Sequence, residues 1–338
     1  MERILAIPVV HSPIVAVVGP SQRDLGIERQ VFEIIGAEIC QVPLGSATAG
    51  ALPEAVRQAD AILHGAWRID RPVIDQLERC RVIGRYGLGF DNIDVAAATA
   101  RGIAVVVAKG YCESEMSDHA LAFILGWYRQ ILFYDRKRWL NGARHDSGPI
   151  PRIRTLTAGL CGFGGIARVT APKLQALGMT VIAFDPHVSD EMFASLNVRR
   201  VGFDELLRRA DAISIHCALT PETHHLFEAS AFARMKSTAL LVNTARGGIV
   251  DTAALAHALE TGEIAGACLD VLEEGAYETH DLGRFPSLLT TPHIAWRSEA
   301  SRVEVVRFAA IAVREVLCGR TPPGLVNPEV APNLGLAH

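Results

Sequence analysis

The sequence predicts an α/β protein of two domains, each built on a parallel sheet. Three observations carry that expectation. The chain has 338 residues, more than the roughly 100–200 of one typical domain. Short β-branched apolar runs alternate with segments of helical spacing. Near the middle a polar, turn-prone stretch interrupts this alternation, which then restarts.

The first set of strands is expected at Ile14–Val18, Ala61–His64, Val82–Tyr86 and Ala104–Val107. Between them Arg23–Ile35, Pro53–Gln58 and Ile93–Ala100 have helical spacing and end near glycines suited to left-handed caps. From Ser117 to about Trp139 the apolar residues run on through Leu121, Phe123, Ile124, Leu125, Trp127, Ile131 and Leu132. That run predicts one long helix buried on several sides, in a core or a subunit interface. Residues 141–149, from Asn141 to Pro149, read as a loop. The second set of strands follows at Ala158–Cys161, Thr180–Phe184, Ala212–His216, Ala239–Asn243 and Ile264–Leu269, with helices near 165–177, 203–209 and 252–261. Pro172 falls inside the first of these helices, so either that helix kinks or the proline lies nearer its first turn.

Composition narrows the function. Hydrophobic residues make up 49% and charged residues 21%, enough apolar surface for buried cores and against long disordered tails. The 33 basic and 37 acidic side chains give a net charge of −4. With no dense Lys/Arg run, nucleic acid is not an expected partner. The start, Met1 through Pro8 and His11, lacks a leader-type apolar region, and no apolar run of ~18 residues occurs, so neither secretion nor a membrane is expected. Seven scattered cysteines without a C-x-x-C pair fit reduced thiols in the cytoplasm better than disulfides or a zinc site, and no metal is expected.

Three segments point to chemistry. Gly162-Phe163-Gly164-Gly165-Ile166-Ala167 follows an apolar strand and opens a helix. In the G-x-G-x-x-G/A pattern the first glycine permits a tight turn, the second lets backbone approach a pyrophosphate, and the helix start receives its charge. About twenty residues on, Asp185 ends the next strand where a carboxylate binds the ribose hydroxyls of NAD and repels the 2′-phosphate of NADP. The first arginines beyond it are Arg199 and Arg200. In the second segment, the apolar run from Ala239 delivers Arg246 to the Gly247-Gly248 pair at a strand end, where ligands bind in open α/β sheets. A guanidinium there holds a carboxylate in its planar fork and polarises a neighbouring carbonyl. In the third, Thr291-Pro292-His293 presents an imidazole that titrates near neutrality. Taken singly, Arg246 reads as a surface ion pair and His293 as a structural histidine; their joint occurrence favours catalysis.

Together with Gly84-Arg85-Tyr86-Gly87-Leu88-Gly89-Phe90-Asp91-Asn92-Ile93-Asp94, Asp118-His119-Ala120-Leu121-Ala122 and Leu219-Thr220-Pro221-Glu222-Thr223, these blocks resemble, over nearly the whole chain, the D-isomer-specific 2-hydroxyacid dehydrogenases. Arg85, Gly110-Tyr111-Cys112 and the run Pro292 to Glu299 are most similar to the C-terminal-binding-protein branch, which includes both dehydrogenases and NAD(H)-sensing corepressors. The resemblance implies two doubly wound domains: a Rossmann NAD domain at 114–292 inserted into a flavodoxin-like substrate domain at 1–113 and 293–338, with catalysis in the cleft. It also implies a homodimer packed through the long helix, and NAD-dependent interconversion of a small 2-oxo acid and a D-2-hydroxy acid. The alternative is a dinucleotide-sensing binding protein.

By the same resemblance Arg246 binds carboxylate and carbonyl, and His293 is the acid/base. Arg85 and the N–H groups of Leu88 and Gly89 are on the substrate side. Gly162, Gly164, Gly165 and Ile166 meet the pyrophosphate, Asp185 the ribose, and Cys217, Thr223, Thr244, Ala245 and Asp270 the nicotinamide end. Trp296 either borders the substrate pocket or anchors the last helix. The family's third catalytic residue is a Glu after the Arg that keeps the His protonated. Counted without a gap its place is Gly275, so Glu274 is the expected substitute, with Glu273, Glu278 or no acid as alternatives.

Overall fold

The computed structural model describes residues 12–20, 23–46, 52–138 and 150–337. The opening residues 1–11 and the expected loop at 141–149 lie outside them. The chain divides into two units, residues 1–111 with 298–338, and residues 112–297.

In the first unit the strands are β1 (Ile14–Gly19), β2 (Glu38–Pro43), β3 (Ala61–His64), β4 (Val82–Arg85) and β5 (Ala104–Val107). They form one parallel sheet in the order β2-β1-β3-β4-β5, the order of flavodoxin-like folds. β3 and β5 are buried throughout because both faces of a parallel sheet are covered. β2 was not expected from sequence: it is an edge strand whose Glu38, Gln41 and Pro43 break the apolar run. The helix Glu299–Leu317 returns to this sheet, opened by a capping box between Ser298 and Ser301. It packs so closely on β4 that a Cβ on Gly84 would collide with Val313. Beyond it Asn327 pairs with β5, accepting from Val105 N and donating to Ile103 O.

The second unit holds β6 (Thr157–Cys161), β7 (Thr180–Phe184), β8 (Arg199–Arg200), β9 (Ala212–Ile215), β10 (Leu240–Asn243), β11 (Gly266–Leu269) and β12 (Leu288–Thr290). The order is β12-β11-β10-β9-β6-β7-β8, all parallel. The connection reverses direction between β6 and β9, which opens a crevice at their carboxyl ends. β8 and β12 escaped the sequence reading because they are edge strands of two and three residues.

One expectation is corrected. The long helix over 117–139 is two helices, Glu113–Tyr128 and Ile131–Arg138, because Gln130 turns left-handed at φ +54°. The two compact units divide at Tyr111/Cys112 and Arg297/Ser298, beside the expected domain bounds of 113/114 and 292/293, and Asp270 holds residues 293–295 on the second unit. Pro172 lies in the interior of the helix Gly165–Ala176 and not in its first turn.

Candidate active site

The glycine segment sits at the crevice. Gly162 has φ +92°, and a Cβ there would lie 2.6 Å from Cys217 N, so only glycine permits β6 to turn against the end of β9. Gly164 caps the following helix with no side chain accepting from its first turn, and space beside it is open. Those helix-start N–H groups are ready for an anion. Asp185, one strand over at the end of β7, accepts from Phe163 N at 2.8 Å and His187 N at 2.9 Å, which fixes its carboxylate against the glycine turn. Arg200 reaches back to the carbonyl of Asp185 at 3.2 Å while its other nitrogen pairs with Asp190. Residues fifteen apart in sequence thus meet beside the glycine turn.

Around the crevice floor, Cys161 and Cys217 share a hydrogen bond that pulls the Cys217 thiol down and pushes the Cys161 thiol up. Thr223 is committed locally: its hydroxyl donates to Ala218 O at 2.6 Å and accepts from Thr220 N at 2.7 Å. Thr244 differs. It is 1% exposed, and its Oγ1 has no hydrogen-bond partner among the described residues. A buried hydroxyl without a partner is costly, and at the carboxyl end of β10 it fits a ligand group that completes it. The glycine cradle, the uncapped helix start and this hydroxyl together fit a dinucleotide.

Arg246 is presented by a turn that its neighbours fold. Asn243, fully buried, donates from Nδ2 to Arg246 O at 2.8 Å and accepts from Ala245 N at 2.9 Å. A Cβ on Gly247 would collide with the backbone of Leu272. Glu273 reinforces the turn from the next strand connection. Its Oε2 accepts from Thr252 N and Oγ1 at 2.9 and 2.6 Å, and its Oε1 lies 2.7 Å from His225 Nε2. Burial works against the ionised carboxylate, but these bonds hold Glu273 below the usual range.

His293 has φ +55°, a conformation that non-glycine residues hold only when their surroundings enforce it. Asp270 does the enforcing. It is 2% exposed; its carbonyl accepts from His293 N at 2.9 Å, and its carboxylate from Ile294 N, Ala295 N and the Thr291 hydroxyl. His119 on the first helix of this unit bonds Thr291 Oγ1 at 3.0 Å. Burial lowers the His119 pKa while Asp270 opposes it.

The acid expected beside His293 takes no simple form. Gly275 adopts φ +74°, so a side chain at the counted position would strain the backbone. Glu273 is turned to Thr252 and His225, Glu274 is exposed, and the side chain of Glu278 lies outside the described residues. Trp296 is half-buried in the turn before Ser298, outside the last helix.

In the first unit, Arg85 ends β4 and bonds the carbonyl of Tyr86 at 3.0 Å, lying across Gly87, where φ is +142° and a Cβ would strike the guanidinium. Among the described residues neither the Leu88 nor the Gly89 N–H donates to a backbone acceptor. His64, in register with Arg85, is fully buried; burial and the Arg85 charge, against a backbone contact at Trp67, bring its pKa to about 3. Asn243, the Asp270 loop contacts and the His225–Glu273 pair were missed from sequence. Asn243, three residues before Arg246, was the one local signal available.

Residues 121–295 match the family described as D-isomer specific 2-hydroxyacid dehydrogenase, NAD binding domain. The D-3-phosphoglycerate dehydrogenase of Mycobacterium leprae is 37% identical over 290 residues, covering 83% of this chain and 55% of that protein, so the chain spans about half the length of this curated relative. A protein of Thermus thermophilus is 31% identical with a TM-score of 0.76, covering 92% of this chain and 99% of that one. The D-lactate dehydrogenase of Aquifex aeolicus, solved with NAD and lactic acid, is 25% identical with a TM-score of 0.78, covering 90% and 96%. No helix among the described residues is long and apolar enough to cross a membrane.

Proposed function

This chain belongs to the D-isomer-specific 2-hydroxyacid dehydrogenase family, and from that premise we propose that it interconverts a small 2-oxo acid and the corresponding D-2-hydroxy acid with NAD(H). The observation that carries the reading is the pair of enforced conformations at the carboxyl edge of one sheet. Asn243 folds the Arg246 turn at the end of β10, and Asp270 at the end of β11 holds His293 left-handed just beyond β12. Arg246 is extended and His293 is strained, and a side chain whose backbone is fixed by several bonds is what a reacting group requires.

The Arg246 guanidinium holds the substrate carboxylate and draws electron density from the adjacent carbonyl. His293 gives a proton to the carbonyl oxygen during reduction and takes it back during oxidation. In the first unit, the N–H groups of Leu88 and Gly89 and the positive charge of Arg85 are groups that suit an anionic substrate. The bound nicotinamide supplies or accepts the hydride. Gly162, Gly164, Gly165 and Ile166 hold its pyrophosphate, Asp185 its adenosine ribose, and Cys217, Thr223, Thr244, Ala245 and Asp270 line its reactive end. Asp185 favours NAD over NADP, since Asp190 offsets the positive charge of Arg200. Glu274 keeps His293 protonated, and Trp296 limits the bulk of the substrate side chain.

A panel of 2-oxo acids, including glyoxylate, hydroxypyruvate and larger acids, monitored by NADH oxidation tests this reading. Arg246→Ala and His293→Ala are the controls. Turnover of at least one acid well above both controls is expected; none on any acid refutes it. The left-handed Gly275 at the place of the family Glu favours a second reading, a dinucleotide-responsive binding protein of weak activity, in which tight NADH binding accompanies negligible turnover throughout the panel.

A further inference from the structure

Behind the Arg246 turn lies a group of side chains that the dehydrogenase reading does not use. His224 and His225 follow Thr223 with their rings stacked, centroids 3.9 Å apart and planes at 24°. His225 is left-handed at φ +52°, and its N–H donates to Gly248 O at 2.8 Å. Its Nε2 faces Glu273 Oε1 at 2.7 Å, while the other oxygen of Glu273 is tied to Thr252. One nitrogen from each imidazole and one Glu273 oxygen all lie within 4.8 Å of one another. Asp251 adds a second carboxylate, its Oδ2 3.9 Å from His225 Nδ1.

We propose that His224, His225 and Glu273 form a binding site for a divalent transition-metal cation, with zinc the best match and water completing the coordination. Two neutral imidazoles and a carboxylate are donors that suit zinc, whereas calcium and magnesium take oxygen ligands. The geometry is close to what the ion needs. Bonds of ~2.1 Å in a tetrahedron separate ligand atoms by roughly 3.4 Å, so the Glu273–His225 contact opens slightly and the outer distances shorten. His224 is exposed. Glu273 arrives oriented: the Thr252 bonds fix one oxygen and leave the other facing the histidines, the outer support that metal-ligating carboxylates require. The ion replaces the proton shared between His225 and Glu273, and the carboxylates of Glu273 and Asp251 offset its charge.

The consequence follows from what each ligand also holds. His225 carries the Gly248 carbonyl through its N–H, and Glu273 carries Thr252. A bound cation therefore ties the 224–227 segment to the turn that presents Arg246.

The experiment is calorimetric titration of chelator-treated protein with zinc chloride, repeated on His224→Ala and Glu273→Gln, with cobalt(II) as a spectroscopic probe of the ligand set. The expected result is one saturable site per chain and a visible cobalt band. His224→Ala should lose at least about tenfold in affinity, since even outer supports of a metal site carry 10–100-fold, without a change in the melting temperature of the metal-free protein. No saturable binding, or wild-type affinity in His224→Ala, overturns the proposal. If Glu273→Gln fails to fold, His224→Ala decides alone. The readout is binding, so its failure is separate from any failure of the dehydrogenase reading.

Discussion

Replacing Thr244 by Val should stabilise the dinucleotide-free protein and weaken its hold on the dinucleotide, two effects of opposite sign from one substitution. Thr244 is 1% exposed and its hydroxyl meets no partner among the described residues. Valine matches its shape and removes the group. Leaving a buried hydroxyl unpaired costs about 1–3 kcal/mol, so the free protein should gain on the order of 1 kcal/mol, a rise of roughly 2–4 °C for a domain of this size. On the proposed reading the hydroxyl bonds the ligand in the complex, and a net hydrogen bond of about 1 kcal/mol should make NADH binding roughly fivefold weaker in the variant. Differential scanning calorimetry without ligand and NADH fluorescence titration measure the two effects separately. A variant that melts lower and binds NADH as wild type does would refute the assignment, because the hydroxyl would then serve the fold and not the ligand.

Three further outcomes are expected. Asp185→Ser should raise the KM for NADH by roughly 10-fold or more, the loss of a charged hydrogen-bond acceptor, and improve NADPH; a wild type that uses NADPH as well as NADH contradicts the ribose assignment. Glu274→Gln should lower the apparent pKa governing reduction and cut activity most on the alkaline side, where neutral His293 has no proton to give; a profile that overlays wild type removes Glu274 from the mechanism. Acid should destabilise the first unit through His64. Its folded pKa of about 3 lies below the ordinary histidine value of 6.5, so the unfolded chain takes up the proton first, and stability present above 6.5 is lost as pH falls toward 3. At pH 5 the loss is about 2 kcal/mol, and His64→Leu should lose less between pH 7 and pH 5; parallel melting curves would show that His64 is not the cause.

The glycine turn was legible because its requirement is local. Gly162 must adopt positive φ under the backbone of Cys217, and strand, glycines, helix and Asp185 all lie within one βαβ unit. Several central strands were legible for a similar reason: β3, β5, β9 and β10 are buried on both faces, β5 is wholly apolar, and the other three carry one polar residue each. Edge strands such as β2 lack that burial, and the left-handed break at Gln130 has no glycine to announce it.

The groups that hold the candidate catalytic residues were not legible, because sheet order brings them together. Asp270 reaches the His293 loop only because β11 lies beside β12, and Glu273 supports the turn after β10 only because β10 lies beside β11. The acid beside His293 shows the same limit from the other side. Counting along the chain reaches Gly275, yet its left-handed backbone disfavours a side chain there whatever the chemistry demands. An acid serving His293, where there is one, is better placed at a neighbouring position whose backbone is unstrained. That reasoning keeps Glu274 as the residue to substitute and predicts that Gly275→Glu, though it restores the family residue in name, destabilises the loop by about 1 kcal/mol or more. A Gly275→Glu variant with unchanged melting temperature and raised turnover would show that the loop adapts to the count and not the count to the loop.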